Sequence, residues 1–510
     1  MDPILGFPVT LPAPGSRELL RALHRQLREA ILDGRLQPGL RLPATRELAV
    51  ALGISRNTAV AAYDLLLSEG YAVARRGAGN YVADTLTRRA TQPAVDDDNT
   101  MQHRLAAYWR HSPETPAGQV AEGPFRYDFS VGVPDHSQFP FEVWRRLSAR
   151  ALRTLSKAMP TYGPAQGRPA LREAIALHVS FARAVACRAD DVIVTTGAQQ
   201  AFDLLARVLV TPGRTTMAVE DPGYPPVRAA FAAAGAKVVG VPVDEEGLMV
   251  DRLPADVRVI YVTPSHQFPL GVVLSPRRRA ALLEFARTHH ALVIEDDYDG
   301  EFRYGGRSLD ALQTLDRCGS ASTGSAPTGS VCYVGTFSKC LFPALRLGYA
   351  VPPPWLRPAL TAAKQLGDWH GDVLAQDTLA AFIAEGHLVR HVRRMRNVYA
   401  LRREALLEAL ARHAGDRLLP IPSNAGLHLA TRLTVAVSAR VLQAQAMAVG
   451  IRPEALDGYA AGKSHINGFA FGFGLIEADR IDEAVLGLTR LLDSAQSVGS
   501  ALTESRTQSR

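Results

Sequence analysis

Residues 331–349 read VCYVGTFSKCLFPALRLGY, in which four apolar residues are followed by glycine, two hydroxyl side chains and a lysine. The short apolar run predicts a buried strand, and Lys339 lies at its carboxyl end. Burial disfavours the charged form of an amine and lowers its pKa, as a lysine requires in order to form a Schiff base. A lone lysine after a strand is more often a surface residue, so the neighbouring segments must decide its role.

Four further apolar runs end in polar or glycine-bearing loops. They are DVIV before TTGAQQ, TTMAV before EDPGYPP, VRVIYV before TPSHQFPLG and ALVI before EDDYD. Strand-like runs alternate with helical patterns from residue 125 to 493, which predicts an α/β domain with a parallel sheet. Ligands of such sheets bind beyond the carboxyl ends of the strands, so we expect the five loops to line one pocket.

The side chains in these loops suit a phosphorylated pyridine ring. Asp296 would pair with a protonated ring nitrogen, Tyr298 would donate to a phenolic oxygen, and Tyr224 offers an aromatic face for stacking. A phosphate would be held by hydroxyl, guanidinium and helix N-terminal groups, for which the candidates are Thr336, Ser338, Arg346, Gly197, Ala198 and Gln199. With Lys339, these residue types predict a pyridoxal 5′-phosphate (PLP) site.

Each of these features has a simpler interpretation when it is taken alone. The adjacent acids Asp296 and Asp297 are more often a solvated loop or metal ligands, and Tyr224 lies in a proline-rich turn that could simply pack. His266 or Gln267 would stand near the cofactor, or the histidine would pack within its loop. The shared position at strand ends is what favours PLP.

Length and composition limit the class of protein. A chain of 510 residues with 47% apolar and 21% charged residues predicts a globular protein with one large domain and an accessory one. The four cysteines form no CxxC pair, so we expect neither a disulfide framework nor a metal site. Since no run of 18 apolar residues and no export signal occurs, we expect a cytoplasmic protein without membrane spans.

The N-terminal segment, residues 15–84, predicts a separate α+β domain. Apolar residues recur every four positions in a first helix, at Leu19, Leu23, Leu27 and Ile31. LPATRELAVALG predicts a second helix, and Ser55 begins a third. YAV and YVA flank a basic, glycine-rich hairpin tip. The pattern indicates a winged helix-turn-helix, followed by a proline- and charge-rich linker at 85–124.

Basic and polar side chains lie where such a domain meets DNA. Arg56, Asn57 and Thr58 occupy the first turn of the third helix, which enters a major groove. Phosphates would pass near two further candidates, Arg46 and Arg76. Alternatively, the small domain only docks on the larger one and its arginines form a solvated face.

The segment 17–84 resembles the winged-helix domain of GntR-type bacterial regulators. LPATRELAVALGISRNTAVAAYDLLLSEGY and RRGAGNYVA carry the resemblance. It implies that operator DNA is contacted by Arg46, Arg56, Thr58, Arg76 and Gly77.

Residues from about 126 to 490 resemble fold-type I aminotransferases, in the form found in the MocR/GabR subgroup of GntR regulators. IEDDYDGEFRY and YVGTFSKCLFPALRLGY carry this resemblance, together with YGPAQGRPALREAIA, TTGAQQAFDLL and EDPGYPP. It implies a PLP aldimine at Lys339, with Asp296 at the pyridine nitrogen and Tyr298 at O3′. It also implies a head-to-tail homodimer in which Tyr162 reaches the phosphate of the partner subunit.

Two segments depart from the aminotransferase pattern. SHQFP stands where those enzymes have Asn-Pro, and the stretch 467–474, NGFAFGFG, lacks the arginine that binds a substrate α-carboxylate. Loss of that bidentate contact argues against efficient transamination. We therefore expect a PLP-dependent transcriptional regulator that senses PLP or an amine or amino-acid-like effector at Lys339. An active aminotransferase with an accessory DNA-binding domain, and a repressor whose large domain only dimerises, are the alternatives. A tail from residue 494 is expected to be disordered.

Overall fold

The computed structural model describes residues 4–13, 16, 18–84, 105–110, 125–157, 161–305, 310–316, 329–462 and 466–507, with side chains as far as residue 496. Most of the predicted linker 85–124 lies outside these residues. The chain divides into two compact units, Met1–Ala106 and Ala107–Arg510. The boundary falls within the predicted linker, next to a 3₁₀ turn at Ala107–Trp109.

The first unit has the predicted winged helix-turn-helix architecture. Its elements are α1 (Leu19–Leu32), α2 (Thr45–Leu52), α3 (Arg56–Ser68) and the antiparallel strands β1 (Ala72–Arg75) and β2 (Gly79–Val82). Leu23 and Leu27 are fully buried, as the four-residue spacing predicts. Gly53 ends α2 in the left-handed region at φ 63°, and the Ser55 side chain accepts a hydrogen bond from the Thr58 amide.

The second unit contains the remaining elements. Its helices are α4 (Phe141–Leu155), α5 (Pro169–Arg183), α6 (Gly197–Leu209), α7 (Pro225–Ala233), α8 (Pro276–Thr288), α9 (Arg357–Asp368), α10 (Val373–Ala384), α11 (His387–Ala409), α12 (Ala439–Ala448) and α13 (Ala478–Thr507). Its strands are β3 (Tyr127–Asp128), β4 (Ile193–Thr195), β5 (Thr216–Asp221), β6 (Lys237–Asp244), β7 (Gly247–Leu248), β8 (Val257–Val262), β9 (Leu292–Asp297), β10 (Val331–Thr336), β11 (Gly348–Val351), β12 (Leu418–Pro420), β13 (His428–Leu433), β14 (Ile451–Arg452), β15 (Glu454–Ala455) and β16 (Gly468–Gly472).

The large sheet is mixed, whereas the sequence predicted a parallel one. Its strand order is β4-β11-β10-β9-β8-β5-β6-β7, and neighbouring strands from β10 to β6 are parallel. β11 runs antiparallel to both β10 and β4. Only residues 337–347 separate β10 from β11, which is too short for the helical crossover that a parallel return requires. The sequence did not indicate β11 as a separate strand, because so short a connection reads as a continuation of the segment that carries Lys339.

Helices cover both faces of this sheet. Successive residues of β5 point to opposite sides, with Met217 and Val219 packed in the cluster that contains α6, and Ala218 in the cluster that contains α8. Strands buried on two faces read as continuous apolar runs, which is why the sequence shows them clearly. A smaller sheet, β12-β13-β16-β15, lies in the C-terminal part of the unit.

The last helix extends into the segment that the sequence predicted to be disordered. α13 is continuous from Ala478 to Thr507, past residue 494. Its first half is anchored by the buried residues Ile481, Val485, Leu488 and Leu492. Adding residues to an anchored helix requires no new nucleation, so the helix continues where the sequence loses its apolar pattern. Among the described residues, no helix is both long and apolar enough to cross a membrane.

A buried ion pair fixes the end of β9 to α5. Arg183 Nε donates to Asp297 Oδ2 at 2.5 Å, and the Tyr333 hydroxyl donates to the same oxygen at 2.6 Å. Both charged side chains are almost completely buried. Asp297 is therefore a structural carboxylate that holds the strand carrying Asp296.

Replacing Arg183 by alanine should destabilise the second unit strongly. The change leaves the Asp297 charge buried and unpaired, so we expect the free energy of unfolding to fall by about 3–5 kcal/mol. Urea denaturation measures the loss. Arg207→Ala is the matched control, because its pair with Asp203 is about half exposed and should contribute at most about 1 kcal/mol. Equal losses in the two variants would contradict the account of this pair.

Candidate functional site

The predicted site residues of the large unit lie at the strand ends, as the sequence indicates. Asp296 is the second-last residue of β9, Lys339 follows β10, Tyr224 follows β5 and Gly197 follows β4. Asp296 raises the pKa of Tyr224 and Arg346 lowers it, so both charges act on that hydroxyl. Asp296 also raises the pKa of Lys339. The loops therefore meet at one edge of the sheet.

Lys339 is held against the backbone of a distant segment. Its Nζ donates to the Gly132 carbonyl at 2.7 Å. Gly132 has φ +73°, and a Cβ added there would lie 2.8 Å from Nζ, so the close approach requires glycine. Burial lowers the pKa of Lys339, although Asp299 and Asp296 oppose the shift. A neutral amine is the nucleophilic form of lysine.

Asp296 has one oxygen paired and one unpaired. The Tyr261 hydroxyl donates to Oδ2 at 2.6 Å, whereas Oδ1 is buried and has no hydrogen-bond partner in the described part of the chain. Burial raises the pKa of Asp296 to about 7. A buried acceptor without a donor costs free energy, so this position calls for a donor from a ligand. The protonated nitrogen of a pyridine ring is such a donor, and the site fits PLP in this respect.

Tyr298 belongs to a buried triad with His266 and Asp299. Its hydroxyl lies 2.9 Å from His266 Nδ1, which also lies 2.9 Å from Asp299 Oδ2. An ionised carboxylate can only accept, so the Nδ1 proton points to Asp299. The Tyr298 oxygen can share that N–H, which leaves its own hydrogen to donate to a ligand.

The ring of His266 is fixed by an adjacent glycine. A Cβ on Gly426 would lie 1.9 Å from His266 Cε1, so only glycine fits there. Gln267 instead donates to the Pro222 carbonyl at 2.9 Å and holds a neighbouring loop. Of the two residues that the sequence placed near the cofactor, the histidine contacts a predicted cofactor residue.

The predicted phosphate residues form a polar cradle. Thr336 Oγ1 and Ser338 Oγ lie 3.0 Å apart, and Arg346 Nη2 donates to the Thr196 carbonyl at 2.9 Å. A Cβ on Gly197 would lie 2.9 Å from Arg346 Nη2. The first amides of α6 have no acceptor within the helix and suit an anion. Gln199 uses its side chain to bond the Pro226 carbonyl, so Ala198 and Gln199 offer backbone N–H groups.

The two predicted aromatic residues differ in their setting. The ring of Tyr224 packs edge to face on Phe268, with centroids 5.4 Å apart, and burial raises the pKa of Tyr224 to about 12. Tyr162 is 74% exposed, and its ring lies 4.6 Å from that of Trp369. Tyr162 is thus not brought into the pocket of its own chain, and its predicted role in a partner subunit stays a prediction.

Sequence reasoning missed several residues that shape the pocket. Gly132, Tyr261 and Asp299 contact predicted site residues directly. Two more, His428 on β13 and Glu454 on β15, come from the C-terminal part of the unit. The sequence could have indicated Tyr261 and Asp299. Tyr261 lies near the end of β8, and Asp299 follows β9 at the same edge of the sheet. His428 and Glu454 gave none, because their proximity depends on how the small sheet packs.

In the first unit, the predicted DNA-contacting residues lie on α2, on α3 and in the wing, and all but Thr58 are exposed. Arg56 and Asn57 are exposed in the first turn of α3, and Arg46 is exposed on α2. Thr58 is partly buried, and its hydroxyl lies 2.8 Å from Ser55 Oγ, so it stabilises the start of the helix. The arrangement places a guanidinium and an amide at the helix entrance, which suits base-edge contacts.

The wing presents basic groups around a tight turn. Arg76 is exposed, and Gly77 takes φ +76°, a value that favours glycine. Arg75 stacks over the ring of Tyr81 at 4.4 Å, which fixes the base of the hairpin. These features suit contact with a phosphate backbone.

Known families match both units. Residues 19–82 match "Bacterial regulatory proteins, gntR family", and residues 127–455 match "Aminotransferase class I and II". The probable rhizopine catabolism regulatory protein MocR of Rhizobium meliloti is 37% identical over 432 residues, which cover 84% of this chain and 85% of MocR. The pyridoxine biosynthesis transcriptional regulator PdxR of Corynebacterium glutamicum is 34% identical over 93% of this chain and 96% of its own.

Solved aminotransferases share the fold of the second unit. The kynurenine aminotransferase of Pyrococcus horikoshii, solved in complex with PMP, superposes with a TM-score of 0.66 at 27% identity. The match covers 73% of this chain and 92% of that enzyme. The fold-type I architecture that the sequence predicted is thereby confirmed.

Replacing Asp296 by asparagine should stabilise the ligand-free protein at neutral and higher pH. In the folded protein Asp296 keeps its proton to about pH 7, but in the unfolded chain it ionises near its ordinary pKa. Stability is therefore lost as the pH rises between those values. We expect Asp296→Asn to raise the free energy of unfolding by up to about 4 kcal/mol at pH 8 and by little at pH 4.

Urea denaturation at the two pH values measures this change. Asp203→Asn, at a half-exposed position on α6, is the control and should show almost no pH-dependent gain. A gain in Asp296→Asn that is equal at both pH values would show that the buried charge is not its source.

Proposed function

The chain belongs to the gntR family of bacterial regulatory proteins, in the MocR-type form with an aminotransferase-like domain, and we propose that it senses a small molecule through PLP bound at Lys339. It is a DNA-binding transcriptional regulator. The observation that carries the proposal is the buried, unpaired oxygen of Asp296, in a pocket that also holds a lysine of lowered pKa.

The residues at the strand ends fit the cofactor. Lys339 would hold it covalently, Asp296 would accept from the ring nitrogen, Tyr298 would donate to O3′ and Tyr224 would stack on the ring. The phosphate would be held by Thr336, Ser338, Arg346 and the amides of Gly197, Ala198 and Gln199. PLP supplies an electrophilic carbon that reacts reversibly with amines. Asp296 then keeps the ring nitrogen protonated, and the His266–Asp299 pair orients Tyr298.

The functional unit in this proposal is a cytoplasmic, head-to-tail homodimer. Tyr162 is largely exposed in the single chain, in keeping with a role at the phosphate of the partner subunit. A ligand can shift DNA binding only if it favours one arrangement of the domains over another. Occupancy at Lys339 would supply that preference to the winged helices, whose contacts are Arg46, Arg56, Asn57, Thr58, Arg76 and Gly77.

The aminotransferase alternative is disfavoured by the C-terminal sheet. Residues 467–474 include β16, whose residues Gly468–Gly472 are all buried and apolar. No guanidinium in this stretch can orient a substrate carboxylate. Any residual transamination should therefore be slow compared with that of an ordinary enzyme, for which turnover is about 1–1,000 per second.

Removal of the Lys339 amine should abolish covalent PLP binding. Borohydride reduction of PLP-loaded protein, followed by peptide mass mapping, should place the label on Lys339. Lys339→Ala should lose the label and the visible absorbance. Lys157→Ala, at an exposed position, should keep both. A label on another lysine, or none, would contradict the proposal.

Operator binding should depend on both units. With a DNA fragment obtained by in vitro selection on the full-length protein, PLP should change the affinity of wild type and not of Lys339→Ala. A repressor whose large domain only dimerises predicts identical titrations for the two proteins with and without PLP.

Two arginines should contribute differently to DNA affinity. Arg56→Ala should lose about 1–3 kcal/mol of binding free energy on the selected site and relax its sequence preference. Arg76→Ala should weaken binding to all sequences and reduce the salt dependence by about one counterion. Arg21→Ala, exposed on α1, is the control. Unchanged affinity in the Arg56 and Arg76 variants would exclude this face as the interface.

A further inference from the structure

A largely buried carboxylate, Glu454, is the cross-strand neighbour of the stretch in which the resemblance to aminotransferases implies a carboxylate-binding arginine. Ala470, within the arginine-free stretch 467–474, is fully buried in β16. It pairs with Ala430 on one side and with Glu454 on the other. The ionisable side chain of this strand pair is therefore a carboxylate and not a guanidinium.

Glu454 is connected to the lysine through the backbone. Its Oε1 accepts from the Val131 amide at 2.8 Å, and the next residue, Gly132, accepts from Lys339 Nζ at 2.7 Å. The Tyr459 hydroxyl donates to Glu454 Oε2. The Tyr459 ring packs on Phe268 with centroids 5.0 Å apart. Glu454 thus belongs to the same wall of the pocket as the predicted cofactor residues.

Two histidines of this region present buried lone pairs. His428 Nε2 lies 2.9 Å from the Pro269 carbonyl and must donate to it, so Nδ1 carries the lone pair. In the neutral tautomer that donates from Nδ1 to Asp299, His266 carries its lone pair on Nε2. Neither lone-pair nitrogen has a partner in the described residues. The two rings lie 4.7 Å apart, and a Cβ added to Gly271 would lie 3.1 Å from His266 Nε2.

These groups can accept hydrogen bonds but cannot neutralise an anion. Burial raises the pKa of Glu454, so its surroundings disfavour negative charge, and a ligand α-carboxylate placed beside it would be disfavoured as well. Arg346 lies in the phosphate cradle. Arg452 also acts on Glu454, but its guanidinium stacks on the ring of Phe125 at 5.3 Å. Ammonium or hydroxyl groups, by contrast, would supply donors to the histidine nitrogens that have no partner in the described residues.

We propose that the effector is a primary amine that lacks an α-carboxylate and carries hydroxyl or ammonium donors, with Glu454 selecting against amino acids. The proposal rests on the proposed function, since it assumes PLP at Lys339. It goes further by assigning the chemical class of the ligand and the residue that discriminates.

Matched ligand pairs test this selectivity on full-length protein loaded with PLP. Serinol is compared with serine, alaninol with alanine, and 1,4-diaminobutane with ornithine. Affinity is measured by calorimetry, and the absorbance of bound PLP is recorded in parallel. We expect each amine to bind more tightly than its amino acid by about tenfold or more, as expected for a buried like-charge contact.

The variant Glu454→Gln keeps the shape of the side chain and removes its charge. It should reduce the preference for amines by about tenfold. Glu245→Gln, at a position whose side chain is 84% exposed, should leave it unchanged. The wild-type comparison stands even if Glu454→Gln fails to fold. Tighter binding of the amino acids, or binding of neither class, would overturn the inference while leaving PLP at Lys339 intact. Absence of PLP from Lys339 would instead overturn the proposed function.

A metal ion is the competing occupant of the histidine pair. Donor atoms of His266, Asp299 and His428 all lie within 4.8 Å of one another. Calorimetry with Zn²⁺ alone distinguishes the two. We expect no stoichiometric binding, whereas one zinc per chain that is lost in His428→Gln would overturn the assignment of these lone pairs to the effector.

Discussion

Oδ1 of Asp296 is buried and has no donor among the residues that the structure describes, and the rest of the site depends on this constraint. Burial raises the pKa of Asp296 to about 7. The ion pair of Arg183 and Asp297 fixes the same strand end. A protein gains nothing in stability from such an arrangement. It is explained if a ligand supplies the missing donor, as the ring nitrogen of PLP would.

At three glycines of the pocket, a functional side chain lies closer to the backbone than a residue with a Cβ atom would allow. Gly132 admits the Lys339 amine, Gly197 admits the Arg346 guanidinium and Gly426 admits the His266 ring. These three contacts join segments that are far apart in sequence. Because an added Cβ would displace a functional group at each position, the glycines define the pocket as much as the polar residues do.

Much of this architecture could be predicted from the sequence, since buried strands read as apolar runs and the polar residues follow them. Lys339, Asp296 and Tyr298 were proposed as site residues in that way, and Ser55 and Gly53 located the helix-turn-helix. The antiparallel β11 was missed because only residues 337–347 separate it from β10, so it follows the segment of Lys339 directly. His428 and Glu454 were missed because no local pattern reveals which residues of the small sheet face the pocket.

A diffraction structure of the protein grown with PLP tests the central claim most directly. The account predicts continuous density from Lys339 Nζ to the cofactor, with the ring nitrogen about 2.7–3.2 Å from Asp296 Oδ1. PLP bound elsewhere, or a protein or solvent donor already paired with Oδ1 beside an unmodified lysine, would contradict it.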